Sequence, residues 1–351
     1  MTDSPIRIGL IGAGGNVRSR HIPGFRQQSG VEIVAVANRT RASGQAIADE
    51  FGIARVYDGW PEVLADPEVD AVCIGTWPYM HRTLTVAALE AGKHVMCEAR
   101  MAMNLSDARH MLAAARKRPD LVAQIVPAPH TLAFDRTIRE MVAGGAVGDI
   151  IAVDARIAAA RAFPDASGPV HWRQDRDLSG NNIMNMGIWY EAMMRWVGPM
   201  KTVMAVGQSV VKHRLDADGH RVAMRIPDHI DVIGELEQGG QMRFNVSSVV
   251  GHMPSLADVH IFGTDGTIRL HQPVGGAMAL SAGKRGDADL SAVAIDPARQ
   301  GGWRVEEEFV NAIRGREPIT HTDFVTGCQY MEWTDAVTLS LRQRRTVTLP
   351  L

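Results

Sequence analysis

At 351 residues the chain is longer than one hydrophobic core usually serves, and its 46% apolar and 22% charged residues suit a globular protein in water. A net charge of −2 gives no field to recruit nucleic acid or an anionic membrane, and no stretch approaches the roughly 20 apolar residues of a bilayer span. Three scattered cysteines, Cys73, Cys97 and Cys328, argue against a disulfide framework and suit a reducing cytoplasm.

The opening residues lack the basic and long apolar regions of a signal peptide, so none is expected. From Ile6 to about Val126, short apolar runs alternate with helical stretches. Strands are expected at Ile6–Ile11, Glu32–Ala37, Ala71–Gly75, His94–Cys97 and Leu121–Val126. Helices are expected at Arg20–Gln28, Arg41–Phe51, Arg82–Ala91 and Ser106–Lys117. Continuous apolar strands alternating with helices imply an α/β, doubly wound parallel sheet of the Rossmann type. This first domain is placed at residues 1–127.

Beyond Pro127 the rhythm changes. A helix is expected over Phe134–Ala143, ended by Gly144-Gly145, then a strand at Ile150–Arg156 and a loop region rich in Gly, Asp and Pro. Alternation at Ile230, Val232 and Leu236 resumes at Met242, Phe244 and Val246 beyond Gly239-Gly240, which is a hairpin pattern. Asp265-Gly266 marks a second hairpin. Val274–Gln300 has little periodicity and is expected to be irregular, and helices near Val305–Arg314 and Phe324–Arg342 close the chain. Residues 128–351 are therefore expected to form an α+β domain with a largely antiparallel open sheet.

The first strand runs into Gly12-Ala-Gly14-Gly15-Asn16-Val17. Glycines there let the backbone approach a pyrophosphate, and the helix that follows offers N–H groups and a positive dipole end. A glycine cluster alone can be a tight turn. Its place after the first buried strand makes Gly12, Gly14, Gly15 and Asn16 dinucleotide-binding candidates. Val17 occupies the third glycine position of the strict pattern. The second strand ends in Asn38-Arg39-Thr40-Arg41 with no carboxylate to accept from a ribose 2′-hydroxyl. An amide, a hydroxyl and two guanidinium groups suit a 2′-phosphate instead, so NADP is expected over NAD, with NAD possible.

Ligand-type residues at Asp228, His229, Asp231, His252, His260 and His271 do not form a metal motif, since neighbours along a strand point to opposite faces. No metal is expected. No basic patch interleaved with aromatics is present, so nucleic acid is not an expected partner.

Residues Asp70–His81, Ala88–Glu98, His171-Trp-Arg173, Gly180–Gly187 and Thr320–Leu351, with the glycine turn, resemble the glucose-fructose oxidoreductase / inositol dehydrogenase (Gfo/Idh/MocA) family. The resemblance implies NAD(P)-dependent hydride transfer on a sugar, polyol or related cyclic alcohol. It assigns Thr76, Trp77, His81 and Glu98 to cofactor binding. Three catalytic positions depart from the family pattern. Ala99 stands where the family has the lysine of Glu-Lys-Pro, Asn185 replaces an Asp, and Trp189 replaces a His four residues on.

If the chain is a dehydrogenase, other groups must move the proton. Arg100 can stabilise an oxyanion but not act as base, so Tyr190 is expected to exchange the proton while Arg100 polarises the reacting oxygen. Glu191 is its partner or an alternative base, and Glu98 holds the loop. His130, His171, Arg173, Asn185 and Trp189 are expected to contact a small polar substrate. Two rival readings remain: a tightly held dinucleotide used for transient oxidation in elimination or glycoside cleavage, and a non-catalytic dinucleotide-binding protein. An open antiparallel sheet needs cover, which relatives provide with a second subunit, so a homodimer or homotetramer is expected.

Overall fold

The computed structural model describes residues 5–158, 163–181, 183 and 185–351. The chain divides into two compact units: Met1–Pro127 with Trp303–Met331, and Ala128–Gly302 with Glu332–Leu351.

In the first unit β1 (Ile6–Ile11), β2 (Val31–Ala37), β3 (Arg55–Tyr57), β4 (Ala71–Ile74), β5 (His94–Cys97) and β6 (Ala123–Ile125) form a sheet ordered β3-β2-β1-β4-β5-β6. Every pairing in it is parallel. Between the strands run α1 (Ile22–Arg26), α2 (Arg41–Phe51), α3 (Trp60–Ala65), α4 (Pro78–Glu90) and α5 (Leu105–Lys117). Covering both faces leaves Ile8, Leu10, Val36, Val72 and Val95 without solvent contact, which is why these strands read as unbroken apolar runs.

Local chemistry sets the helix limits. Thr40 Oγ1 accepts the Ser43 N–H at 3.3 Å to start α2, and Gly52 ends it at φ +61°. Pro78 opens α4 four residues before the expected start, because its fixed φ suits a first helical position. The helix expected at Arg20–Gln28 is a π-helical turn, Val17–His21, followed by α1. Two elements of this unit went unexpected. β3 is three residues with no alternation, and α3 is a six-residue helix.

The second unit begins with α6 (Leu132–Ala143) and β7 (Ile150–Ala158), then α7 (Arg176–Ser179) and α8 (Met186–Val197). There follow β8 (Thr202–Gln208), the short ribbon β9 (His213–Leu215) and β10 (Arg221–Ala223), β11 (His229–Glu235) and β12 (Gln241–Ser247). The remaining strands are β13 (Ser255–Gly263), β14 (Gly266–Pro273), β15 (Ala279–Lys284) and β16 (Ser291–Ala292). With β17 (Val347–Thr348) near the C-terminus, the main sheet is ordered β16-β15-β14-β13-β7-β12-β11-β8-β17. Its pairings are antiparallel except β7 with β12. The stretch expected to be irregular thus contributes two strands, β15 and β16. Its small residues hid them from an apolar-periodicity reading.

Strand alternation divides the sheet. Val153, Ala155, Ile157, Phe244 and Val246 point into the core, where Trp333 stacks on Tyr190 with ring centroids 3.9 Å apart and lies 6.1 Å from Phe244. The other face carries ion pairs, Arg269–Asp258 at 2.8 Å and Arg243–Asp154 at 3.2 Å, beside exposed Met204, Val206 and Ile233.

The helices α9 (Val305–Ile313) and α10 (Phe324–Gln343) complete the elements. Residues Trp303–Met331 join the first unit, so the second is not the continuous 128–351 domain expected. Val305, Phe309 and Val310 fill the first core, and Gln124 Nε2 donates to Glu308 Oε2 at 2.8 Å. Helical periodicity reveals an apolar face but not which core it enters.

Candidate active site

The glycine turn lies at the carboxyl end of β1, between β2 and β4, where the strand order reverses. Ligands of open parallel sheets bind at this switch point. Gly12 has φ +83°, and a Cβ there would sit 2.8 Å from the Thr76 backbone nitrogen, so the fold itself demands glycine. A Cβ on Gly15 would meet nothing within 4 Å, and one on Gly14 only the Gly75 oxygen at 4.0 Å. Their missing side chains leave an open cradle rather than solving a packing problem. Val17 packs where Gly75 has no side chain, since a Cβ on Gly75 would stand 2.2 Å from Val17 Cγ2. That contact accounts for Val17 at the third position. Among the described residues the buried Thr76 hydroxyl has no hydrogen-bond partner, an orphan polar atom beside the turn. Cradle and orphan both fit a pyrophosphate-bearing group.

Asn38 is committed inside the chain. Its Oδ1 accepts the Ala13 N–H at 2.7 Å and its Nδ2 donates to the Ser43 carbonyl at 3.2 Å, so it braces the turn. Thr40 likewise caps α2. Arg41 pairs with Asp58 at 3.0 Å. The exposed Arg39 guanidinium sits 5.8 Å from the Trp77 ring centroid.

Two loops follow β4 and β5, and His81 joins them. Its ring nitrogens face the Thr76 carbonyl at 2.9 Å and the Arg100 carbonyl at 2.8 Å, and burial lowers its pKa. Arg100 is itself only 5% exposed. Glu98 Oε1 accepts from the Asn16 amide of the turn and from His21 Nε2 at 2.9 Å, while Oε2 accepts the Ala99 N–H at 3.1 Å. His21 Nδ1 faces Glu306 Oε1. Burial alone would lower the His21 pKa, but the two carboxylates outweigh it and hold it up to about 9. Burial likewise works against the Glu98 carboxylate, and His21 overcomes it, keeping its pKa below the usual range. His21 and Glu306 were missed in the sequence because 285 residues separate them.

The second unit corrects the expected proton carrier. Tyr190 is 1% exposed, its hydroxyl accepts the Met200 N–H at 2.9 Å, and its ring is stacked on Trp333. Burial pushes its pKa up, opposite to what a shuttle needs. Glu191 is 2% exposed and ion-paired to Arg195, whose other nitrogens hold Asp135 at 3.1 and 2.7 Å. Both residues build the core around α8.

Asn185 precedes α8 and is exposed, with no side-chain hydrogen bond among the described residues. One turn on, Trp189 is buried and the exposed His130 stacks on it, ring centroids 5.4 Å apart and planes 3° from parallel. An imidazole absent from position 189 is thus present against it.

A cavity of about 490 Å³ opens within this unit, lined by Asn185, His171, Arg173 and residues not foreseen, including Gln174, Arg214 and Asp228. His171 Nδ1 accepts the Arg173 N–H at 3.2 Å, which leaves Nε2 to donate. Burial, and then Arg173, lowers its pKa, so it is set as a neutral donor rather than a proton carrier. Asp216, Asp218 and His220 cluster at the ribbon turn, but Asp216 accepts the Asp218 and His220 N–H groups and so shapes the turn.

A Rossmann sheet with an open glycine cradle, joined in sequence to a mixed sheet with a cavity lined by polar and aliphatic residues, defines a two-unit dinucleotide-binding protein. The chain belongs to the GFO/IDH/MocA oxidoreductase family: residues 6–125 match "Oxidoreductase family, NAD-binding Rossmann fold", and residues 136–269 match its C-terminal domain. It is 36% identical to 1,5-anhydro-D-fructose reductase of Ensifer adhaerens over 51% of this chain and 52% of the relative. It is 36% identical to D-glucoside 3-dehydrogenase of Escherichia coli (strain K12) over 44% of each. The matched segment thus spans about half the length of these relatives. In fold it is similar to levoglucosan dehydrogenase in complex with NADH and L-sorbose, with TM-score 0.84 and 20% identity over 98% of this chain and 99% of the other. No helix among the described residues is long and apolar enough to cross a membrane.

Proposed function

We propose that the protein is a nicotinamide-dinucleotide-dependent oxidoreductase acting on a hydroxyl-bearing carbon of a sugar, polyol or related cyclic alcohol. The observation that carries this reading is the turn after β1, with Gly14 and Gly15 open and Thr76, whose hydroxyl has no partner among the described residues, against Gly12. The names of the sugar-acting relatives support the substrate class. The bound dinucleotide would supply the hydride acceptor or donor. His130 exchanges the proton of the reacting hydroxyl, Asn185 and His171 hold substrate oxygens, and Arg100 gives the loop bearing Ala99 a fixed positive charge. Turnover with both dinucleotides against a panel of sugars and cyclic polyols tests the assignment.

NADP is the favoured cofactor, and Arg39 is the residue that selects it, since Arg41 is paired and Asn38 is committed to the turn. Arg39→Ala should weaken NADP binding by about tenfold or more, the scale of a hydrogen bond to a charged group, and leave NAD binding nearly unchanged. Equal losses for both dinucleotides in a fluorescence titration would contradict this.

The protein is also proposed to be a homodimer or homotetramer. The outer sheet face exposes Val206 at 69% and Ile233 at 48% next to paired charges, a surface suited to a second copy. Light scattering should give a multiple of the chain mass, and a monomer at micromolar concentration would overturn the proposal. A cytoplasmic setting fits Cys73, Cys97 and Cys328, which form no disulfide among the described residues.

A further inference from the structure

The cavity of the second unit is lined by two chemistries. Ile157 and Val246, register partners at the carboxyl ends of the parallel strands β7 and β12, form an aliphatic surface with Val211, Met224, Ile226 and Pro227. Polar groups among them are committed to main chain. The Asp228 oxygens accept the Val210 and Val211 N–H groups at 2.7 and 2.9 Å, and Ser247 Oγ accepts the Val249 N–H at 3.3 Å. Elsewhere the lining offers the Asn185 amide, His171 Nε2 and Arg214. A bare polyol against the aliphatic surface would exchange water for no hydrogen-bond partner, an unfavourable transfer. An alkyl or aryl group there would gain from leaving water.

Resting on the oxidoreductase reading, we propose that the substrate is amphipathic: a sugar or cyclic polyol carrying an apolar substituent, as in an alkyl or aryl glycoside. The hydroxylated ring is held at Asn185 and His171, and the substituent lies along Ile157, Val246, Met224 and Ile226. The cavity volume, within the range of small-molecule sites, accommodates both parts.

The test uses the full chain with saturating reduced dinucleotide, titrated calorimetrically with methyl, propyl and pentyl β-D-glucopyranoside. Affinity should rise about fourfold per added methylene until the aliphatic surface is covered. Met224→Gln, at a half-buried position, should flatten the series. Ile226→Thr should do the same, so misfolding of one variant leaves the other as a check. A flat series in the unmodified protein, or no binding by any member, overturns the proposal. Turnover of sugars with a flat alkyl series would remove this inference and leave the oxidoreductase reading standing. A rising series without turnover of any sugar would do the reverse.

Discussion

Replacing His21 with leucine should destabilise the protein by about 3–5 kcal/mol, the cost of removing one partner from a buried ion pair. His21 has no solvent exposure and stands between Glu98 and Glu306. Leucine would leave the two carboxylates without their shared cation and release the Asn16 end of the glycine turn from a fixed Glu98. Dinucleotide affinity should therefore fall together with stability, and denaturant unfolding with and without the dinucleotide would measure both. The same triad sets a pH dependence. The His21 pKa is raised to about 9 from 6.5, so its contribution is fully present below about pH 6.5 and is lost as pH rises through about 9. The Glu98 carboxyl is lowered, so its contribution is present above the ordinary glutamate pKa and is lost as pH falls through the folded value. Stability in unmodified protein should decline between pH 6.5 and 9, and His21→Leu should remove that decline.

His130→Asn should reduce kcat by about 10²–10⁴, the usual loss for a positioned acid or base, with dinucleotide affinity unchanged. Three family positions cannot serve here: Ala99 carries no charge, Asn185 does not titrate at working pH, and Trp189 is an indole. His130 is the imidazole stacked on Trp189, and asparagine keeps its polarity while removing its ability to carry a proton. Tyr190→Phe is the complementary variant. It strips the acceptor from the buried Met200 N–H and should cost about 1–3 kcal/mol of stability, yet leave kcat largely intact. If Tyr190→Phe abolished turnover in folded protein while His130→Asn did not, the proton-carrier assignment would be reversed.

The first unit was legible because parallel strands covered on both faces must be apolar throughout, and because Gly12 answers a steric demand written into one residue. The hairpins of the second unit were legible from alternation around Gly239-Gly240, where both residues have positive φ. What escaped depends on contacts distant in sequence. The segment Trp303–Met331 has ordinary helical periodicity, and nothing local tells that its Phe309 meets Phe25. Tyr190 stands one residue from a lost catalytic position, and only subtraction among titratable groups points to it. The helix Met186–Val197 buries ten of its twelve residues, and a phenol on a helix apolar on nearly all sides belongs to the core. The His130–Trp189 stack joins residues from before α6 and from α8, so no spacing rule could find it.

The most direct measurement mixes the purified protein with NADP or NAD and a panel of free sugars, cyclic polyols and their alkyl and aryl glycosides, following reduced nicotinamide by its absorbance. Formation of reduced dinucleotide in proportion to a substrate consumed, and its loss in His130→Asn, is the predicted result. Dinucleotide that binds at the Gly12–Asn16 turn but is never reduced by any member, nor oxidised by the corresponding ketones, would contradict the account.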